Sequence, residues 1–260
     1  MNRNHVHLWL LLLISFIAII CISFFGPIRI LGYEFKDSGF AKSITRPHEA
    51  KSDIINIDTV IEPIEEPEPI PLDTASKTIL FFGDSMLDGL YPRLAAYADE
   101  NGHELYAVIW YSSTSEVWGK SNRLNEYIER LHPDYIFISL GANELFVKDI
   151  AEKRDRYVKK ILNDIGDIPY LWIGPPNWKP DTGINNLISA NAAKGCFFIT
   201  NGMQFDRKKD GAHPTSESSI VWMDSIARWM PLYSSHPIKM EPPTVRRSHA
   251  KRVFVHQPNE

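Results

Sequence analysis

Between residues 77 and 230 the sequence alternates short, β-rich apolar runs with longer helical stretches. No other feature restricts the fold as strongly. The apolar runs fall at 78–82, 105–110, 135–140, 170–173 and 196–199. Helical stretches fall between them at 87–100, 121–131, 148–165 and 183–193. A last helix is predicted at 215–229, with Thr215 as its N-cap behind Pro214. The strand runs are continuously apolar, as expected of strands buried on both faces. Such strands separated by helices pair in parallel, and right-handed crossovers lay the helices on both sides. The expected fold is therefore α/β: a three-layer α/β/α sandwich around a five-stranded parallel sheet. Ligands of such sheets bind beyond the carboxyl ends of the strands.

The segments just past the strands carry the polar residues. Gly83-Asp84-Ser85 comes after the first strand and "YSSTSEVWG" after the second. "GANE" (141–144) comes after the third and "GPPNWKP" (174–180) after the fourth. "DGAHPT" (210–215) lies beyond the fifth, just before the last helix. In a parallel sheet these segments share one rim, so a serine, an asparagine and an Asp-x-x-His pair converge on one cleft. A serine hydroxyl is a weak nucleophile, and neutral imidazole is a suitable base near neutral pH. Asp210, three residues before His213, can reach the imidazole's other nitrogen to hold its tautomer and stabilise the imidazolium. Acyl transfer also needs donors aimed at the developing oxyanion. The backbone N–H of Ser85 and the side-chain amide of Asn143 are candidates.

Each piece has a plainer reading. Ser85 could cap the helix and Asp84 could close an Asx-turn. Asn143 could be a turn residue, and "DGAHP" a loop with a helix start. The conjunction of all of them, in this order and at these strand ends, favours catalysis.

On these motifs the chain resembles the SGNH hydrolases, also called GDSL-type esterases and lipases, over residues 77–230. "FGDSM" matches the first block and implies Ser85 as nucleophile. "GANE" matches the third block, usually Gly-x-Asn-Asp, and implies Asn143 as oxyanion donor, with Glu144 in place of the usual aspartate. "DGAHP" matches the fifth and implies Asp210 as orienting acid and His213 as base. The resemblance also implies a flavodoxin-like sandwich and no cofactor. One departure stands out. Where the second block normally offers a glycine N–H to the oxyanion, the aligned residue is Ser112, whose Cβ restricts the backbone. Either Ser112 or Ser113 could supply that donor.

Anchored members of the superfamily often act on O-acetylated polysaccharides. The resemblance thus implies an acylated carbohydrate, with acetyl as the acyl group. Trp178 and Asn177 beyond the fourth strand, and Trp118 beyond the second, could line the cleft; tryptophan at a sheet rim serves both sugar stacking and packing. Two alternatives share the sequence: an O-acyltransferase using the same triad with a sugar hydroxyl as acceptor, and a non-catalytic glycan-binding protein of the envelope.

Outside the domain, residues 8–25 carry no charged side chain, enough for a helix to cross a bilayer core of about 30 Å. The run ends in "CISFFGPIRI" without a small-residue cleavage site, which favours an uncleaved anchor at 1–31. The lipid bilayer is then a partner, and the catalytic domain is expected to face the periplasm or cell exterior. Residues 32–76, with "IEPIEEPEPIPLD", suggest a semi-stiff spacer, although an arm packed on the domain has the same composition. Residues 231–260 have basic patches and no periodic apolar face, which suggests a flexible tail. The net charge of −4 gives no sign of nucleic-acid binding. Nine histidines without ligand spacing, and two cysteines, Cys21 and Cys196, give no zinc motif.

Overall fold

The computed structural model describes residues 28–30, 33–35 and 70–258, and the chain divides into two units, 1–64 and 65–260. The apolar run at 8–25 and most of the spacer lie outside the described residues. No helix among the described residues is long and apolar enough to cross a membrane.

In the first unit, β1 (Ile28–Ile30) pairs antiparallel with β2 (Tyr33–Phe35). These residues straddle the expected boundary between anchor and spacer, where the sequence reading places no regular structure. "IRI" and "YEF" each alternate apolar with charged residues, the period of a strand. The register sets Arg29 opposite Glu34.

The second unit is built on a six-stranded, wholly parallel sheet. Along the chain come β3 (Thr78–Gly83), α1 (Leu87–Asn101), β4 (Glu104–Trp110), α2 (Ser115–Lys120) and α3 (Arg123–Leu131). Then come β5 (Tyr135–Ser139), α4 (Ile150–Ile165), β6 (Tyr170–Ile173), α5 (Ile184–Asn191), β7 (Phe197–Phe198), α6 (Ser216–Tyr233) and β8 (Arg252–His256). The strand order is β7-β6-β5-β3-β4-β8. Central β3 shows the logic: Ile79 and Phe81 face one layer, and Leu80 and Phe82 the other. The first layer is α1 and α6, through Leu87, Leu94, Trp222 and Ile226. The second is α2 to α5, through Trp118, Leu124, Ile161 and Ile188. Thr215 caps α6 by accepting the Ser218 N–H at 3.2 Å.

The sixth strand corrects both the expected strand count and the flexible tail at 231–260. The segment after α6 is tied down by backbone hydrogen bonds rather than by a periodic apolar face. Lys239 N–H donates to Asp73 O at 2.9 Å, Ser248 N–H to Pro92 O at 2.8 Å and Lys251 N–H to Leu105 O at 2.8 Å. The buried Arg93 pairs with Asp224 at 2.7 Å and also donates to Val245 O at 2.8 Å. So led across α1, residues 252–256 pair parallel with β4. Val253 packs on the first core layer and Phe254 on the second. Asp73 likewise bridges Ile238, so the end of the expected spacer belongs to the domain.

Phe254 lies half-buried against the Tyr127 ring, with centroids 5.0 Å apart. Phe254→Ala is expected to lower stability by about 1–2 kcal/mol, part of what a fully buried ring would lose. The shift in the urea denaturation midpoint measures it; no shift would mean that β8 adds nothing to the folded state.

Candidate active site

The site begins where β3 ends. A Cβ at Gly83 would stand 1.9 Å from the Ser139 carbonyl oxygen, so only glycine lets β3 run this close to β5 at the rim. Asp84 N–H donates to that carbonyl at 2.9 Å. The Asp84 side chain is fully buried and accepts from Met86 N–H at 2.9 Å, closing the Asx-turn that opens α1. Its other oxygen accepts from Gly141 N–H at 3.3 Å and Ala142 N–H at 3.2 Å. One carboxyl thus joins the serine turn to the "GANE" loop.

Ser85 does not cap α1; the N-cap position is Met86, with no side-chain cap bond. The half-buried hydroxyl instead lies 2.8 Å from His213 Nε2. His213 Nδ1 lies 2.9 Å from Asp210 Oδ2. Asp210 Oδ1 also accepts from Ala212 N–H at 2.8 Å and His213 N–H at 2.9 Å. Those backbone donors, together with the imidazole bond, hold the Asp210 carboxyl at about 2, so it stays ionised through the neutral range. With Asp210 fixed as acceptor, His213 Nδ1 is placed to donate to it, and Nε2 faces the Ser85 hydroxyl. The triad is open to solvent: the side chains of His213 and Asp210 are 32% and 49% exposed.

Asn143, on the loop that Asp84 holds, reaches the segment after β4 that carries Ser112. The Asn143 amide donates to Ser113 O at 2.9 Å, which fixes its plane and leaves a second amide hydrogen. Ser112 has φ 58°, the left-handed conformation natural to glycine. The missing glycine is therefore replaced in residue type while its backbone shape is kept. Among the described residues, no acceptor takes the N–H of Ser85 or of Ser112. Ser85 N–H, Ser112 N–H and one Asn143 amide hydrogen are thus left without an acceptor among the described residues.

Glu144 holds the third side of the frame. It is fully buried and accepts from Ser115 N–H at 2.5 Å, joining the "GANE" loop to the start of α2. Burial pushes its carboxyl above the usual range. Burial also pushes Asp84 up to about 7, and the Glu144 charge adds to the rise against the pull of the N–H donors. Sequence reasoning gives Asp84 only a turn role and passes over Arg207. The Arg207 guanidinium donates to Ala212 O at 2.6 Å and Asn177 O at 3.1 Å, clamping the triad loop to the segment after β6. A basic residue six places before His213 carries no motif, so the sequence does not reveal it.

The tryptophans divide. Trp118 is 1% exposed, stacked against Phe82 and Trp110, with its Nε1–H donating to Ser113 Oγ at 3.0 Å. It is a core residue rather than a cleft residue, because α2 turns it inward onto the sheet. Trp178 is half-buried and donates to Ala142 O at 3.3 Å, next to Asn143. The Asn177 side chain is half-buried, and its Oδ1 has no partner among the described residues.

No known protein family and no curated protein matches the sequence. Several solved structures are similar. A lipase/acylhydrolase from Enterococcus faecalis is 18% identical over 65% of this chain and 100% of its own, with a TM-score of 0.49. The psychrotrophic esterase EstA from Pseudoalteromonas sp. is 17% identical over 58% of this chain and 94% of its own, with a TM-score of 0.43. TesA is 20% identical over 59% of this chain and 97% of its own, with a TM-score of 0.46.

A carboxyl whose pKa is higher folded than unfolded makes the folded state hold more protons, so its contribution to stability falls as pH rises. For Glu144 that fall begins above its ordinary 4.5. Glu144→Gln keeps the acceptor for Ser115 N–H and removes the titration. Its stability is expected to rise relative to the unsubstituted chain as the pH is raised from about 5 to about 8. Parallel denaturation curves across that range would contradict this picture of the frame.

Proposed function

We propose that this chain is a serine esterase of the cell envelope that removes small acyl groups, with acetyl as the favoured one, from carbohydrate esters. One observation carries the reading: the continuous hydrogen-bonded line from Ser85 Oγ through the His213 ring to Asp210, at 2.8 and 2.9 Å. His213 Nε2 takes the proton as Ser85 Oγ attacks the ester carbonyl. The oxyanion then meets Ser85 N–H, Ser112 N–H and the free amide hydrogen of Asn143. Collapse expels the alcohol, which receives the proton from His213, and leaves an acyl-serine. Water, activated by the same imidazole, attacks that ester and restores the hydroxyl.

The openness of the triad supports a bulky alcohol partner such as a polymer. Trp178 beside Asn143 supports a sugar ring near the reacting centre. Localisation is inferred from the sequence: the apolar run at 8–25 would anchor the chain, and residues up to about 70 would hold the domain off the bilayer on its outer side.

Ser85→Ala is expected to lower p-nitrophenyl acetate turnover by roughly 10⁴-fold or more and to abolish labelling by a fluorophosphonate probe. Asn143→Ala is expected to lower kcat about 10²–10³-fold with little change in KM. Turnover retained in Ser85→Ala, with circular dichroism showing an intact fold, would sink the assignment. Product analysis with and without a glycan acceptor separates hydrolysis from acyl transfer.

A further inference from the structure

Several lysines of the domain sit in ion pairs, such as Lys77 with Asp73, Lys120 with Glu116, Lys159 with Asp155 and Lys251 with Glu104. On the loops at the carboxyl ends of the strands, Lys148, Lys179, Lys208 and Lys209 are exposed. Among the described residues, no carboxylate pairs with any of these four. Four exposed lysines without a carboxylate partner thus lie on the loops of the rim that also carries Ser85.

The same rim exposes aromatic surface. Phe146, on the loop after β5, is 57% exposed and meets the Trp178 ring edge-on, with centroids 5.4 Å apart. The Lys179 ammonium lies 4.5 Å from the Phe146 centroid and 5.0 Å from that of Trp178. Hydrogen bonds tie this platform to the triad. Trp178 donates to Ala142 O beside Asn143, and Arg207 links Asn177 O to Ala212 O beside His213. Lys208 and Lys209 directly precede Asp210, on the loop that Arg207 clamps to the Asn177 segment. Of the acids nearby, Asp149 meets Lys153, while Asp210 in the triad and Asp181, which accepts from Gly183 and Ile184 N–H to start α5, keep their charge. Asp206 and Asp88 remain, the first exposed and the second half-buried.

We propose that this rim is a subsite for an anionic glycan. A sugar ring lies against the exposed Phe146–Trp178 edge, and its negative substituents meet Lys179 there and Lys208 and Lys209 on the loop that Arg207 clamps to it. The proposal rests on the esterase reading and specifies its substrate: an acylated sugar chain bearing carboxylate or phosphate groups. Aromatic faces bind the apolar face of a pyranose, and lysine is a flexible point charge suited to either anion. An exposed pair is weak, about two- to fivefold in affinity, so selectivity needs several lysines acting together.

Two measurements separate this proposal from the esterase reading beneath it. Fluorophosphonate labelling of the unsubstituted chain tests the nucleophile. Calorimetric binding of de-esterified oligosaccharides to Ser85→Ala tests the subsite without turnover, using oligogalacturonate, a phosphate-bearing oligosaccharide and neutral xylo-oligosaccharide. The expected result is at least about tenfold tighter binding of an anionic chain at low salt, an advantage lost near 0.5 M salt, where screening acts within about 4 Å. Which anion binds more tightly identifies the source of the charge. Combining Lys179→Gln, Lys208→Gln and Lys209→Gln should bring anionic and neutral affinities within about twofold, and Lys208→Glu alone should already reduce the ratio several-fold. Equal, salt-independent affinities would overturn the subsite while labelling of Ser85 still upheld the esterase. So would a preference for anionic phospholipid vesicles over every oligosaccharide.

Discussion

The buried carboxylate of Asp84 is the interaction on which the site depends. It sits at the end of the central strand and accepts three backbone N–H groups, one from the first turn of its own helix and two from the loop after β5. Those bonds set where Ser85 and Asn143 lie relative to each other, although the two residues belong to different βα units. Glu144 extends the frame to Ser115 and hence to the loop that carries Ser112 and Ser113. Ser85, Ser112 and Asn143, the donors of the proposed reaction, are therefore positioned by two buried acids. In that reaction the donors would be in place before charge develops, which is the condition for electrostatic catalysis to be effective.

Ser112 shows how a site can keep geometry while changing residue. A side chain in the left-handed region costs about 1 kcal/mol relative to glycine. Ser113 offsets part of that cost: its N–H donates to Trp110 O at 3.1 Å and its hydroxyl accepts from Trp118. The turn is thus held from the core side, and the strained residue faces outward.

Most of the fold was legible in the sequence because continuous apolar strands separated by helices leave few topologies. Four of the five strand runs matched to within a residue or so at each end, and β7 shrank to Phe197–Phe198. β8 was missed because five residues with an arginine at one end and a histidine at the other carry little periodic signal. Backbone hydrogen bonds from 239 to 251 place it, and no residue type marks those. The Ser85, Asp210 and His213 juxtaposition was legible because three short motifs fall at strand ends. Trp118 misled because position along the chain was read as position at the rim. Only its place on α2, facing Phe82 and Trp110, shows that it packs inward. Arg207 acts through backbone carbonyls, which every sequence has, so its partners could not be read in advance.

The pairing of β4 with β8 also shapes how the domain forms. Trp110 Nε1–H donates to Gln257 O across 147 residues of sequence. Neighbouring βα units close short loops and can assemble early, whereas this contact has to wait for a long loop to close. Until it does, one side of β4 presents open hydrogen-bonding groups, the feature through which sheets join other chains. Docking of β8 covers the seven-residue β4 and leaves the five-residue β8, which opens on Arg252, as the edge on that side of the sheet.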